Sequence, residues 1–565
     1  MKPTEKPIKD RLPYVIPNRK DWPIYKLSKD KKNFLKEVIE KTEKSLYLKF
    51  HTAELLHNEL KSILYKEKNR LTKQAWKSDK PSESIFWSEI KKKILETDKV
   101  EDNDTQYKSD QKIMHKILKH YANEIVANFE PKTHKFARNI LPWLFSRLTN
   151  TAPGNRFKFL WSSKKTLYEK LNITGPVEQI RELSKKGTVI IVPTHFSNLD
   201  SPTIGFIIDS IGLPAMTYGA GINLFTLKLL SKWMNDLGAY KLDRRKKNQP
   251  YLELLKSYSA VAIQRGAHSL FFPGGTRSRS GKIEDKLKLG LLGTAIEAQR
   301  INLQKYNEET AKKIFVVPVV LNYHFVIEGD SLIKQHLSIM GKERYIGEKS
   351  GITTSLKLVK LFFKFLTAKP GMNISFAKPM DVFGNEIDED GDSINAIGQK
   401  VSIKDYFFLN GELTEDKQRE GVYTRKLAKR IAEKFHTTNT VLTSHLLAFT
   451  AFEIFQRENK MLDIYELLRV PEDEITIDID VLKSEMERVK QKLIELRNEE
   501  KIQLSYHLEE DITHILNHGL KNLGVYHSLL PLKKKDKNTI LTQNVKLLYF
   551  YHNRLSGYDL ENLFK

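Results

Sequence analysis

The sequence contains no cysteine, and this absence excludes several kinds of chemistry. The 565-residue chain can form no disulfide, offers no thiolate nucleophile, and supplies no cysteine ligand for zinc or an iron–sulfur cluster. Nucleophilic chemistry would therefore use serine, histidine, lysine or a carboxylate, or it would occur directly between two substrates.

The sequence also lacks long apolar runs. No stretch reaches the roughly 18 apolar residues of a membrane-spanning helix, and the N-terminal residues MKPTEKPIKDRLPYV contain no apolar segment of the secretory-signal type. We therefore expect neither a signal nor a spanning helix, and a location in the cytosol or at a membrane surface.

Acidic residues are outnumbered by basic ones. The chain has 94 Lys and Arg against 70 Asp and Glu, a formal net charge of +24. This balance favours anionic partners such as nucleic acid, acidic lipid surfaces, phosphorylated substrates or acidic carrier proteins. Charge alone does not choose among them.

The apolar pattern divides the chain into three regions. Residues 1–135 and 401–565 have the apolar spacing of helices, whereas residues 136–400 alternate β-rich and helical segments. The central region therefore predicts an α/β domain with a largely parallel or mixed sheet flanked by helices. Segments that predict buried strands lie at 187–196, 213–219, 269–275, 315–323 and 372–379.

Two polar residues follow the first predicted strand, in VIIVPTHFSNLDSPT. A strand-to-helix turn would bring His195 and Asp200 together, so that Asp200 orients the imidazole and the other ring nitrogen accepts a proton from a hydroxyl. A single H-x4-D pattern is expected about once by chance in a chain with 16 histidines. The alternative is a helix-capping Asp200 beside a buried structural His195.

A second polar segment, FFPGGTRSRSG, follows the strand predicted at 269–275. Its glycines permit close backbone approach, and its two alternate arginines could hold a phosphate through paired hydrogen bonds. The alternative is a surface turn with solvated arginines. Two weaker candidates are Arg244 in GAYKLDRR, either a phosphate contact or a basic loop edge, and Pro318 in FVVPVVLNYHF, a special bend or an ordinary core strand.

Together and in this order, the four segments resemble the motif blocks of the glycerophospholipid acyltransferase superfamily, over about residues 180–325. The blocks correspond to 195–200, 238–244, 272–279 and 317–319. The segments VVPVVLNYHFVIEGDSL and LLYFYHNRL and the long flanks are similar to the glycerol-3-phosphate acyltransferase branch.

The resemblance implies acyl transfer from acyl-CoA or acyl carrier protein to the 1-hydroxyl of glycerol-3-phosphate, giving lysophosphatidate. His195 would be the general base and Asp200 its partner, with no metal and no bound cofactor. The substrate-binding residues that the resemblance implies are Arg244, Gly274, Gly275, Thr276, Arg277, Ser278, Arg279, Lys288 and Pro318. We expect Ser278 to act mainly through the loop structure.

One position departs from the family pattern. The third block normally has glutamate after its proline, whereas this chain has Gly274 after Pro273. Another acidic residue such as Asp243 or Glu284 could substitute, backbone N–H groups of Gly274 and Gly275 could contribute, or the acceptor could differ.

A lipid product implies membrane contact, so we expect a peripheral protein at the cytoplasmic face. The basic, aromatic segments 139–161 and 356–366 are candidates for contact with an anionic membrane surface, or else they are core-packed helices. We expect the histidine pairs 115/120 and 514/518 to be structural, since no companion metal motif is present.

Three other functions remain open from the sequence. The acceptor could be lysophosphatidate or an amino-alcohol lipid precursor. The chain could be a basic nucleic-acid-binding protein, although no recognition motif with interleaved aromatics is present and no specific nucleic-acid partner is expected. It could also be a scaffold that has lost catalysis.

Overall fold

The structure is a computed structural model. It describes residues 11–76, 79, 81–139, 171–222, 228–306, 310–339, 372–395, 397–409, 411–470 and 475–565. Two segments were predicted to contact a membrane, 139–161 and 356–366. Apart from residue 139, both lie outside the described residues.

The N-terminal region is helical, as its apolar spacing predicts. Its described helices are α1 (Pro23–Lys29), α2 (Lys31–Lys49), α3 (Ala53–Lys73), α4 (Pro81–Thr97) and α5 (Asn103–Ile125). Capping side chains fix two of the starts, because Thr52 accepts a hydrogen bond from the backbone of α3 and Asp102 does so for α5.

A seven-stranded sheet forms the centre of the described structure. Its strands are β1 (Leu171–Thr174), β2 (Gly187–Pro193), β3 (Thr217–Gly221), β4 (Ala239–Leu242), β5 (Ser269–Leu270), β6 (Lys313–Tyr323) and β7 (Met372–Phe376). The order is β1-β7-β6-β2-β5-β3-β4. Neighbouring strands are parallel except for the antiparallel β6–β7 pair, so the sheet is mixed.

Helices cover this sheet, and the predicted α/β class is confirmed. They are α6 (Val177–Lys186), α7 (Asp200–Ser210), α8 (Lys228–Asp236), α9 (Gln249–Gln264), α10 (Leu289–Lys305) and α11 (Gly329–Ile339). Two predicted strands differ most in extent: 213–219 is observed at Thr217–Gly221, and 269–275 shortens to Ser269–Leu270 because a glycine-containing turn follows. The strands β1 and β4 were not predicted, since each has only four residues.

The C-terminal region is also helical. Its helices are α12 (Lys417–Thr438), α13 (Thr443–Glu458), α14 (Ile464–Leu467), α15 (Ile479–Asn498), α16 (Ile512–Asn522) and α17 (Val545–His552). Short strands outside the main sheet lie at Glu386–Ile387, Ser393–Ile394, Phe408–Leu409, Glu412–Leu413, Thr440–Val441, Thr476–Asp478, Gln503–Leu504, Lys533–Lys534 and Thr539–Leu541. The 3-10 helices are Arg19–Asp21, Asp405–Phe407, Tyr506–Glu509, Asn553–Leu555 and Leu560–Phe564.

The two helical regions bury their apolar faces differently. The C-terminal helices share one hydrophobic cluster with the sheet, which includes Val316 of β6 and Phe449 of α13. The N-terminal helices form a second cluster with α9, which includes Phe34 and Tyr258. The division at 135 and 400 stays a prediction. No helix in the described part of the chain is both long enough and apolar enough to cross a bilayer.

Candidate active site

His195 and Asp200 meet at the carboxyl end of β2. The strand ends at Pro193 and α7 begins at Asp200, so the turn between them brings the two side chains together. His195 Nδ1 lies 2.8 Å from Asp200 Oδ2, and the Asp200 side chain is fully buried while 13% of the His195 side chain is exposed. His195 Nε2 has no hydrogen-bond partner among the described residues, so it can meet a substrate.

Three further donors hold the Asp200 carboxylate. The backbone N–H groups of Phe196 and Ser197 donate to Oδ2 at 2.6 Å and 2.9 Å, and the Tyr323 hydroxyl donates to Oδ1 at 2.5 Å. Burial, with the charge of Asp200, raises the pKa of Tyr323 well above its ordinary value, so Tyr323 stays a phenol. Asp200 can therefore orient the His195 ring and stabilise its protonated form.

The third block lies against His195. The Phe272 ring stacks on the imidazole with centroids 4.1 Å apart and planes 25° apart. The N–H of Ser278 donates to the His195 carbonyl at 2.7 Å, and the N–H of Lys288 donates to the Pro273 carbonyl at 2.7 Å. The predicted first and third blocks therefore form one site.

A glutamate also contacts the backbone of His195. The His195 N–H donates to Glu284 Oε1 and Oε2, at 3.2 Å and 3.3 Å. Burial raises the pKa of Glu284 to about 8, and the charge of Asp200 acts in the same direction. Asp243, the other acidic candidate, accepts from Arg245 Nε at 2.9 Å instead, and it faces the N-terminal helices.

Two arginines beside the site form a region of positive charge. Burial, and after it the charge of Arg277, lower the pKa of Arg244, so the two arginines share one region of positive charge. Arg244 has no acidic partner in the part of the chain that the structure describes, and Arg277 Nη1 lies 3.3 Å from Glu328 Oε1. Two guanidinium groups of which only one is paired with a carboxylate can bind a phosphate.

The structure places the remaining glycine and basic candidates around the same turn. Gly275 has a φ of +75°, and a Cβ there would lie 3.1 Å from Lys288 Cγ, so the lysine stem covers the turn. Arg279 is exposed. Its charge contributes, after burial and the charge of Lys282, to the lowered pKa of His336 on α11.

Three other candidates have different surroundings. The Ser278 hydroxyl donates to the Lys282 carbonyl at 2.8 Å, a contact within the turn. Thr276 is exposed. Pro318 is buried in β6 opposite Val192, and its carbonyl accepts the Ala377 N–H at 2.9 Å. Substrate-binding roles for these residues stay predictions.

The sequence reasoning missed Glu328, which joins the first block to Arg277. Its carboxylate accepts from the Ser197 hydroxyl at 2.8 Å and from the Asn198 N–H at 3.0 Å. The residue lies in VVPVVLNYHFVIEGDSL, a segment already noted for its resemblance, but a single loop glutamate gives no signal of this role.

Arg554, from the C-terminal region, was also missed. Its guanidinium carbon lies 3.6 Å from the centroid of the Phe196 ring. Its Nη2 donates to the Leu321 carbonyl and to Asn322 Oδ1, each at 2.6 Å. Burial lowers its pKa to about 10, which leaves it charged at neutral pH. A residue so far along the chain has no local pattern that connects it to the catalytic turn.

Two groups of possible metal ligands lie outside this site. Among the described residues, His507, Glu510 and His514 form one group and Glu83, His120 and Glu124 the other, each with ligand atoms within 4.8 Å. Neither group contains a residue that contacts His195. In the first group Glu510 forms ion pairs with both histidines, and in the second group Glu83 forms one with His120.

Comparison with known proteins agrees with this geometry. The acyltransferase family model matches residues 176–322, a range that contains the His195–Asp200 turn and the third block. These residues are similar to the acyltransferase family. The resemblance to the glycerophospholipid acyltransferase superfamily is thereby confirmed.

Two relatives that are similar to this chain carry the same name. Glycerol-3-phosphate acyltransferase of Pseudomonas paraeruginosa is 25% identical over 253 residues, which are 45% of this chain and 25% of that protein. The protein of the same name from Glaesserella parasuis is 26% identical over 266 residues, 46% of this chain and 28% of that protein. The chain thus spans less than a third of the length of these relatives.

Proposed function

We propose that the chain transfers a fatty acyl group from an acyl thioester to the 1-hydroxyl of glycerol-3-phosphate, which yields lysophosphatidate. The observation that carries this proposal is the His195 ring, bonded to buried Asp200 through Nδ1 and open at Nε2. The names of the relatives support the choice of acceptor.

The reaction needs only one proton carrier. His195 Nε2 takes the proton from the acceptor hydroxyl as its oxygen attacks the thioester carbonyl carbon. The new C–O bond forms, the C–S bond breaks, and the thiolate leaving group takes the proton back from His195. Asp200 stabilises the imidazolium between these two steps.

The oxyanion of the tetrahedral intermediate needs hydrogen-bond donors. The backbone N–H groups of the first block are already bonded: those of His195, Phe196 and Asn198 donate to side-chain carboxyl groups. Among the described residues, the N–H groups of Gly274 and Thr276 donate to no protein acceptor. We assign the oxyanion to these two donors of the third block.

Arg244 and Arg277 are the proposed phosphate ligands. Their adjacent charges favour a bound dianion, and charge-assisted hydrogen bonds to phosphate contribute about 1.5–3 kcal/mol each. Arg277→Ala should therefore raise the acceptor KM by about tenfold or more. An unchanged acceptor KM would remove Arg277 from the phosphate site.

Membrane association and the donor belong to the same proposal. The net charge of +24 supports contact with an anionic lipid surface, and it suits both CoA and an acidic carrier protein as the donor carrier. Co-sedimentation with phosphatidylglycerol vesicles, but not with phosphatidylcholine vesicles, is the expected result. Equal sedimentation with both vesicle types, or with neither, would contradict an anionic membrane surface as the partner.

The acceptor is tested by separate reactions of the purified chain with glycerol-3-phosphate and with 1-acyl-glycerol-3-phosphate. Each reaction is run with acyl-CoA and with acyl carrier protein in the presence of anionic vesicles, and the product is read by mass spectrometry. We expect a monoacyl product from the first acceptor. Product from the second acceptor alone would contradict the proposed acceptor, and no product from either would contradict the proposed reaction.

A further inference from the structure

The space beside Gly274 is already occupied by another side chain. A Cβ built on Gly274 would lie 2.6 Å from Glu284 Oε1 and 2.9 Å from Glu284 Cδ. Packed atoms do not approach so closely. The absence of a side chain at 274 therefore leaves room for the carboxyl group of Glu284, which enters the same space from later in the chain.

The backbone at Gly274 does not itself require glycine. Its φ is not in the positive range, unlike that of the adjacent Gly275 at +75°. A larger residue could therefore adopt this conformation if the Glu284 side chain were removed. Occupancy by Glu284, and not backbone strain, explains the glycine at 274.

The Glu284 carboxyl group acts on the proposed general base through the backbone. Both of its oxygens accept from the His195 N–H, whereas Asp200 bonds the ring of the same residue. The adjacent acidic residue, Asp285, points elsewhere, because its carboxylate bonds His436 Nε2 at 2.7 Å. Glu284 is thus the member of this acidic pair that enters the site.

We propose that Glu284 is a positioning residue for His195 and that its carboxyl group supplies from position 284 what a carboxylate at position 274 would supply. This inference rests on the proposed function, because it assigns a residue to the same reaction. It also selects one of the explanations that the sequence leaves open for Gly274: another acidic residue substitutes.

The test compares acyl transfer by Glu284→Ala, Glu284→Gln and the double variant Gly274→Glu/Glu284→Ala. Removal of the carboxyl group should lower kcat by about 10–100-fold with the donor KM unchanged, since a misplaced base costs up to about 10²-fold. The Gln variant, whose amide oxygen still accepts from His195, should stay within about threefold of wild type. The double variant should recover about tenfold over Glu284→Ala.

Asp285→Ala is the matched control and should leave kcat unchanged. Each variant is first checked for a thermal midpoint close to that of wild type. A Gln variant as slow as the Ala variant, at an unchanged midpoint, would overturn the positioning role. A double variant no faster than Glu284→Ala would overturn the inference that a carboxyl group from residue 284 supplies what one at residue 274 would supply. These results are read against an active wild type, whereas an inactive wild type would contradict the proposed function itself.

Discussion

The two helical regions that flank the sheet have similar amphipathic sequences and different relations to the candidate site. The N-terminal helices close a hydrophobic cluster of their own on α9. The C-terminal helices continue the cluster of the sheet and carry Arg554 onto the catalytic turn. Helical patterning therefore predicts that a flank folds, but it does not predict whether that flank stabilises the domain or takes part in building its site.

The C-terminal tail contacts the catalytic loops at several points. Asn553 donates to the Ser280 carbonyl at 2.9 Å, and the Tyr551 hydroxyl accepts from the Val326 N–H at 2.8 Å. A Cβ on Gly281 would lie 2.0 Å from the Phe550 carbonyl oxygen, so the tail packs directly on the third-block turn. The turns that follow the third and fourth blocks thus share one support, which Arg554 extends to Phe196 of the first block.

Among the changes that compare the two flanking regions, Arg554→Met should have the largest effect on turnover. The change removes the cation over Phe196 and leaves buried acceptors at Leu321 and Asn322 without their donor. An unsatisfied buried acceptor costs about 1–3 kcal/mol, and displacement of the His195 turn should lower kcat by up to about 10²-fold. Steady-state kinetics measure the loss of kcat, and a thermal scan measures the loss of stability. Normal turnover would contradict the role of the C-terminal region in the site.

Arg70→Met is the matched variant in the N-terminal region. Arg70 is buried to a similar degree, 3% exposed against 5% for Arg554, and it bonds Glu67 and Asp79. Loss of one partner of a buried ion pair should destabilise the fold by about 3–5 kcal/mol. The kcat at a permissive temperature should stay within about twofold, because none of the ion-pair partners of Arg70 contacts His195. A large loss of kcat in folded Arg70→Met protein would contradict the proposed difference between the two regions in their contribution to the site.

A smaller effect is expected from pH. Burial lowers the pKa of His324 to about 3 and holds that of His445 well below its ordinary value. Below about pH 6.5 these two histidines therefore bind protons in the unfolded chain but not in the folded one. The free energy of unfolding should fall as the pH is lowered through this range. Glu83, in the N-terminal region, behaves differently. Burial raises its pKa, but the hydrogen bond from His120 and nearby cations outweigh burial and lower the pKa to about 2. The stability that Glu83 contributes is therefore lost only below about pH 4.5.

Hydrogen exchange of peptides from the two regions measures this difference. Between about pH 7.5 and about pH 5.5, after correction for intrinsic exchange rates, protection should fall in α13 and stay constant in α3. Equal losses of protection in the two helices would contradict the claim that the pH dependence of stability differs between the two regions.

Local sequence patterns predicted the parts of the site that are local in the chain. The apolar run of β2 and the polar turn after it placed His195 and Asp200 at the carboxyl end of a central strand, as observed. The β6 run was likewise recognisable. Motif order, more than any single block, indicated which turns would meet.

The remaining contacts depend on distant packing. Glu284 and Arg554 reach the site from other segments, and their neighbouring residues have no distinctive pattern. The short strands β1 and β4 carry too few apolar residues to be distinguished from loops. Such features follow from how the sheet and the C-terminal helices share a core, which a single sequence does not encode locally.

The most direct test of the central claim is the rate of acyl transfer to glycerol-3-phosphate by wild type and by His195→Ala, with thermal midpoints measured in parallel. The account predicts transfer by wild type and a loss of about 10²–10⁴-fold in the variant at an unchanged midpoint, because the variant lacks its general base. Equal transfer by the two proteins would contradict the claim that the His195–Asp200 pair performs the chemistry.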